Sequence, residues 1–195
     1  MSSVVYIKNY NAPEIDKKEI LRYAGVRGES PEIEALLDEC ILGLSDNLSY
    51  KVCYCVIPVC AIPDCFADTA EPLMERLSDC EGALLFAATV GVGMDRLIAR
   101  YSRVSESRAL LYQAIGSERV EALCDAFEAD VRADFLKNGK VATPRFSPGY
   151  GRLPLEMQRT VFSLLDCQRK IGVSLSDSLL MSPSKSVTAF IGIKK

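Results

Sequence analysis

The 195 residues are 49% hydrophobic and 25% charged, the balance of a globular chain long enough to bury one core, so a single domain over residues 1–195 is expected. The formal net charge of −3 argues against nucleic acid as a partner; no apolar run is long enough to span a bilayer or form a signal peptide, and a cytoplasmic protein is expected. Histidine is absent, which excludes Ser-His and Cys-His catalysis and histidine metal ligation from this chain.

A first helix is predicted from Asp16 to Ala24, with Asp16 as its N-cap and Gly25 as its stop. A second begins after Ser30-Pro31, where Ile33, Leu36, Leu37, Cys40, Ile41 and Leu44 repeat at the helical period. Residues 1–49 therefore read as a helical part. Residues 50–62 read as one or two strands, broken at Pro58 and closed by Pro63-Asp64. A helix around 69–79 precedes Ala83 to Val90, a short apolar run expected as a buried strand. Gly91-Val92-Gly93 then leads into a helix from Met94. Strand, Gly-x-Gly and helix is the setting of a nucleotide fingerprint, but Arg96 stands where the third glycine belongs, and a tight turn is the better reading.

The region 105–137 predicts two helices separated by Gly116-Ser117, with Ser117 as a cap. Val120, Leu123, Phe127 and Val131 face the core, while Glu121, Glu128, Asp130 and Asp134 lie off that stripe. After residue 151, Pro154 opens a helix that turns Leu155, Phe162 and Leu165 inward and ends before Gly172. The tail reads as a hairpin: Ser178 to Met181, a turn at Pro183-Ser184-Lys185, then Ser186 to Ile193, whose alternation marks a half-buried strand. The sum is an α+β fold, with helices packed on a twisted antiparallel or mixed sheet.

Two clusters carry chemistry. Cys53, Cys55, Cys60 and Cys65 fall close together, but C-x-C followed by two C-x4-C gaps matches no familiar metal or iron–sulfur spacing. On a strand, alternate cysteines share one face and behave as small buried hydrophobes; Cys40 and Cys124 lie on apolar helix faces. The second cluster is Thr143-Pro144-Arg145-Phe146-Ser147-Pro148-Gly149-Tyr150-Gly151. Its prolines and glycines forbid a helix and leave a stiff ribbon. Arg145 can pair a carboxylate or phosphate in bidentate fashion, and Tyr150 can wall off an aromatic ring or a cation. A carboxylate on the preceding helix, Glu128 being the candidate, can take a ligand's cationic group.

Arg-x-x-Pro-Gly-Tyr over residues 145–150 resembles the S-adenosylmethionine-binding motif of the activation domain of vitamin B12-dependent methionine synthase. Ile171 to Ser178 followed by Met181-Ser182-Pro183 and Ser186-Val187 is similar to that domain's C-terminal part, and Glu121 to Glu128 is similar to the helix before its motif. The similarity covers about 117–193 in the same order, and Glu19 to Gly25 looks more like short stand-alone relatives. The resemblance implies a C-shaped fold on a twisted antiparallel sheet. It also implies a module that binds S-adenosylmethionine and supports reductive methylation of cob(II)alamin carried by a partner. That partner would be methionine synthase or another corrinoid protein, with a flavodoxin-type electron donor. Residue by residue, it assigns Arg145 to the methionyl carboxylate, Ser147 to backbone hydrogen bonds, Pro148 and Gly149 to close approach, and Tyr150 to the adenosyl pocket.

The chain departs from the pattern in places. No residue matches the N-terminal aspartate that contacts the ligand, Ser182 replaces a tryptophan, and Phe190-Ile191-Gly192 stands where aromatic residues including a tyrosine are found. Arg152 stands where the short relatives would have an acidic residue; with Arg159, Arg169 and Lys170 it could form a basic docking patch. Other readings are a small-molecule methyltransferase, for which the Gly-rich first loop is missing, a binding-only S-adenosylmethionine sensor or corrinoid-docking module, and a cysteine-based metal or redox protein centred on 53–65.

Overall fold

The computed structural model describes residues 4–28, 30–44 and 48–195. Its frame is a five-stranded sheet built from β1 (Tyr6–Tyr10), β2 (Tyr50–Pro58), β3 (Gly82–Thr89), β4 (Val141–Ala142) and β7 (Ser186–Lys194). The strand order is β1-β2-β3-β7-β4, and every pairing is antiparallel, so the mixed alternative is set aside. β5 (Ser174–Leu175) and β6 (Met181–Ser182) pair apart from it in a small second sheet.

Helices cover both faces of the large sheet. α1 (Lys17–Tyr23), α2 (Pro31–Leu42), α5 (Gly93–Tyr101) and α6 (Glu106–Lys137) pack on the face that carries Val52, Leu84, Phe86, Ala88, Ala189 and Ile191. α3 (Ile62–Phe66), α4 (Ala70–Arg76), α7 (Met157–Leu165) and α8 (Cys167–Ile171) cover the face with Cys53, Cys55, Leu85, Ala87 and Phe190. Strands covered on both sides lose the alternation of a half-solvated strand. All eight residues of β3 are buried. β7, expected as half-buried, has both faces packed from Thr188 to Ile193. No helix among the described residues is long and apolar enough to cross a membrane.

Several elements stand as read. Asp16 caps α1, accepting from the Lys18 and Glu19 amides at 2.9 and 3.1 Å. Pro31 occupies the first turn of α2. Gly91 has φ +81 and serves a tight turn against Ser49. Cys40 and Cys124 are buried in the core, as are Cys53 and Cys55 on one face of β2.

Five readings change. Residues 1–49 are not helical throughout, because Tyr6–Tyr10 forms the edge strand β1. The strand from Tyr50 ends at Pro58; residues 59–66 turn into helix instead. The tail is not a hairpin: β6 pairs β5, while β7 enters the large sheet between β3 and β4. The helix after Pro154 begins at Met157 and breaks at Asp166, which adopts φ +50 between α7 and α8. Finally, 105–137 is one 32-residue helix, α6, capped by Ser105 and not by Ser117.

Gly116 explains the last change. A Cβ there would lie 2.7 Å from Met94 Cγ and 2.8 Å from Lys185 Cγ, so the glycine serves close packing and not a break. The Ser117 hydroxyl donates back to the Gln113 carbonyl at 3.1 Å and accepts from Lys185 Nζ at 3.0 Å. Gly116→Val is therefore expected to destabilise the fold by about 1–3 kcal/mol through overpacking. Gly116→Ala should bring no stabilisation despite a helix-propensity gain of about 1 kcal/mol. Urea unfolding midpoints of the two variants check both statements.

Candidate functional site

The ribbon after β4 continues along the free edge of β7. The Thr143 amide donates to the Gly192 carbonyl at 2.9 Å, and Thr143 Oγ1 accepts from the Gly192 amide at 2.9 Å. Phe146 exchanges two backbone bonds with Phe190, at 3.0 and 2.8 Å, and their rings stack with centroids 5.6 Å apart. In antiparallel pairing, a residue that turns both its groups inward leaves its two neighbours facing outward. Accordingly, the amides of Arg145 and Ser147 have no hydrogen-bond partner among the described residues. Pro148 is buried beneath them. Gly149, at φ +86, turns the chain, its amide donating to the Leu153 carbonyl at 2.9 Å.

Successive ribbon side chains point to opposite faces. Phe146 lies on the α4 side, with the Arg76 guanidinium 5.3 Å above its ring. Arg145 points to the other side and meets α6, whose Glu121, Asp125 and Glu128 share one helical face by their spacing. Arg145 Nη2 lies 2.8 Å from Glu121, and Nη1 lies 2.6 Å from Asp125 and 2.8 Å from Glu128. Glu128 also accepts from Arg132 at 2.6 and 3.1 Å, and Arg132 Nη1 donates to the Ala142 carbonyl at 3.1 Å. Burial works against the charge on Arg145, but its hydrogen bonds to Glu121, Glu128 and Asp125 prevail and raise its pKa above the ordinary guanidinium value. Burial likewise pushes Glu128 up, and its bonds to Arg132 and Arg145 overcome this and hold it below its ordinary value.

Arg145 opens into a cleft of about 540 Å³, within the usual size range of small-molecule sites. Glu118, Glu121 and Asp125 of α6 form one wall, and Glu14, Asp16 and Tyr23 belong to the other. Buried Arg119 fastens the two walls: it pairs with Glu118 and donates to the Pro13 and Glu14 carbonyls at 2.6 Å each. The Asp16 amide donates to Glu118 at 3.2 Å. One guanidinium amid carboxylates suits a ligand with one negative and more than one positive group.

The residues singled out in the sequence divide between two places. Arg145 and Glu128 meet, whereas Tyr150 is 76% exposed and lines a separate cleft of about 510 Å³ with Arg76, Phe146 and Arg152. Ser147 lies between them on the ribbon's outer edge. Glu128 has its oxygens committed to two arginines, so it anchors Arg145 and is not free to take a ligand cation. Sequence reasoning saw Asp16 only as a helix cap and passed over Asp125; nothing local ties either to residue 145. Of the residues read as a basic patch, Arg152 pairs with Glu75, Arg169 with Asp166, and Arg159 donates to the Asp177 carbonyl. Among the described residues, no group of three or more cysteine or carboxylate side chains is placed to hold a metal ion.

Glu128→Gln should lower stability at pH 7 by about 1–3 kcal/mol, the worth of hydrogen bonds to charged partners. Because the folded-state pKa of Glu128 is depressed, its contribution is complete above its unfolded value near 4.5 and is lost as pH falls through the lower folded value. Urea unfolding of wild type and variant should therefore differ at pH 7 and converge in acid.

Comparison with known proteins places these features. A crystal structure of the MetH reactivation domain bound to AdoHcy superposes with a TM-score of 0.70 at 14% identity, over 97% of this chain and 78% of that one. The family described as vitamin B12 dependent methionine synthase, activation domain, matches residues 61–195, which include α6, the ribbon and β7. The chain belongs to the family of vitamin B12-dependent methionine synthase activation domains.

Proposed function

We propose that this chain binds S-adenosylmethionine and serves as a reactivation module for a cobalamin-dependent methionine synthase or a related corrinoid methyltransferase. The observation that carries the reading is Arg145, held at the sheet edge and facing a cleft lined with carboxylates. The ligand has one carboxylate, one ammonium and one sulfonium, and the cleft offers the complementary charges. Arg145 would take the methionyl carboxylate. Asp16 and Glu121 would face the cationic groups, with Asp16 filling the role of the N-terminal aspartate that has no match in the sequence. The outward amides of Arg145 and Ser147 would bond the ligand where it crosses the ribbon's edge, and Tyr150 would close over its adenosyl end in the second cleft.

These residues hold and orient; none of them needs to move a proton. When bound, the ligand supplies a methyl group on a sulfonium, and methylation of cob(II)alamin in a partner requires one electron from a flavodoxin-type donor. Placing that methyl against a cobalt is a proximity task, to which a stiff ribbon on a sheet edge is suited. The chain has no histidine to offer the metal, so the corrinoid and its ligation belong to the partner.

Calorimetric titration tests the binding step. Wild type should bind S-adenosylmethionine, and Arg145→Ala should weaken it by about tenfold or more, the cost of a lost charge-assisted bond. Absence of binding to the wild type would remove the reading. Mixing the loaded protein with a cob(II)alamin-bearing synthase and reduced flavodoxin, followed by absorption of the corrinoid, tests the second step.

A further inference from the structure

We propose that Asp125 is a specificity-determining residue: in the ligand-free protein it holds the place on Arg145 that a ligand carboxylate must take. Binding is then an exchange of one carboxylate for another. This rests on the reading of the Arg145 cleft as the S-adenosylmethionine site.

The three carboxylates on Arg145 are not equivalent. Glu128 is only 12% exposed and is held from behind by Arg132, so it stays on the guanidinium. Glu121 occupies the other terminal nitrogen, Nη2. Asp125 reaches Nη1 at 2.6 Å, is 68% exposed, and has no further hydrogen bond or ion pair among the described residues. It is the partner that an incoming carboxylate displaces with least disturbance to the fold.

The sign of its effect follows from where its charge matters. On Arg145, itself only 22% exposed, the pair sits in a partly dry setting and must be broken before a ligand carboxylate can dock. Once displaced, Asp125 can meet the ligand's ammonium only at a solvated rim, where ion pairs contribute little. Asp16 and Glu121 remain in the cleft for the cationic groups. Asp125 therefore weakens every ligand that carries the carboxylate and leaves untouched those that lack it. S-Adenosylmethionine and its demethylated product share that carboxylate, so the exchange loosens both and speeds release of spent ligand.

The test is titration of S-adenosylmethionine, S-adenosylhomocysteine and 5′-methylthioadenosine into wild type, Asp125→Asn and Asp134→Asn. Asp134 lies on the same helix, exposed and paired with Lys137, so its substitution removes the same charge without touching Arg145. Asp125→Asn should bind the two amino-acid-bearing ligands about fivefold tighter, with methylthioadenosine unchanged and Asp134→Asn behaving as wild type. Equal or weaker binding by Asp125→Asn overturns the inference while the cleft assignment stands. Equal tightening by Asp134→Asn, or of methylthioadenosine, also overturns it. Binding by Asp125→Asn alone supports it, and no binding of S-adenosylmethionine by any of the three proteins overturns the cleft assignment and the inference together.

Discussion

A buried guanidinium decides where the N-terminal segment runs. Arg119 is 1% exposed, and an uncompensated charge so placed would cost several kcal/mol. Its donors are satisfied by Glu118 and by the carbonyls of Pro13 and Glu14, which obliges residues 13–16 to lie against α6. The cleft beside Arg145 depends on this constraint. Residues of 13–16 line it, and the Arg119 bonds, with the Asp16 amide on Glu118, fix Asp16 relative to Glu121 and Asp125.

The same helix reaches both edges of the sheet. Asp130 accepts from Lys8 Nζ at 2.6 Å and from the Tyr10 hydroxyl at 2.7 Å, tying α6 to β1. Burial, followed by the Asp130 hydrogen bond, raises the Tyr10 pKa and keeps its proton in that contact. At the opposite edge, Arg132 bonds the Ala142 carbonyl at the end of β4, while Glu121, Asp125 and Glu128 hold Arg145. The part of α6 from Glu118 to Arg132 thus sets the distance between cleft walls and ribbon.

What could be read from the chain was what depends on neighbours in sequence. The Asp16 cap, Pro31 at a helix start, the core stripe of Val120, Leu123, Phe127 and Val131, and the non-helical course of 143–151 are local facts, and they hold. Gly116-Ser117 misled because a local breaker signal lost to packing: the missing side chain makes room for Met94 and Lys185. The turn at Pro183 is real, but the strand that follows pairs with β3, nearly a hundred residues earlier. β1 went unseen because Tyr-Ile-Lys-Asn-Tyr is a short edge strand with largely exposed side chains. At the site, the motif identified Arg145 and the helical pattern set Glu121 and Glu128 off the core stripe, but neither showed that these two and Asp125 would converge on one guanidinium. That convergence is a property of how ribbon and helix dock.

The ribbon's two prolines have a bearing on solubility as well as on shape. An open sheet edge invites strands from other chains, because its unpaired amides and carbonyls form a template for pairing. Here the template is cut to a stub. Thr143 and Gly149 have committed amides, Pro144 and Pro148 have none, and the Ser147 carbonyl already accepts from the Tyr150 amide at 3.3 Å. Between them only Arg145 and Ser147 offer free donors, a stretch too short to seat a strand and long enough for one small molecule. The edge stays open over two residues while it is closed to polypeptide.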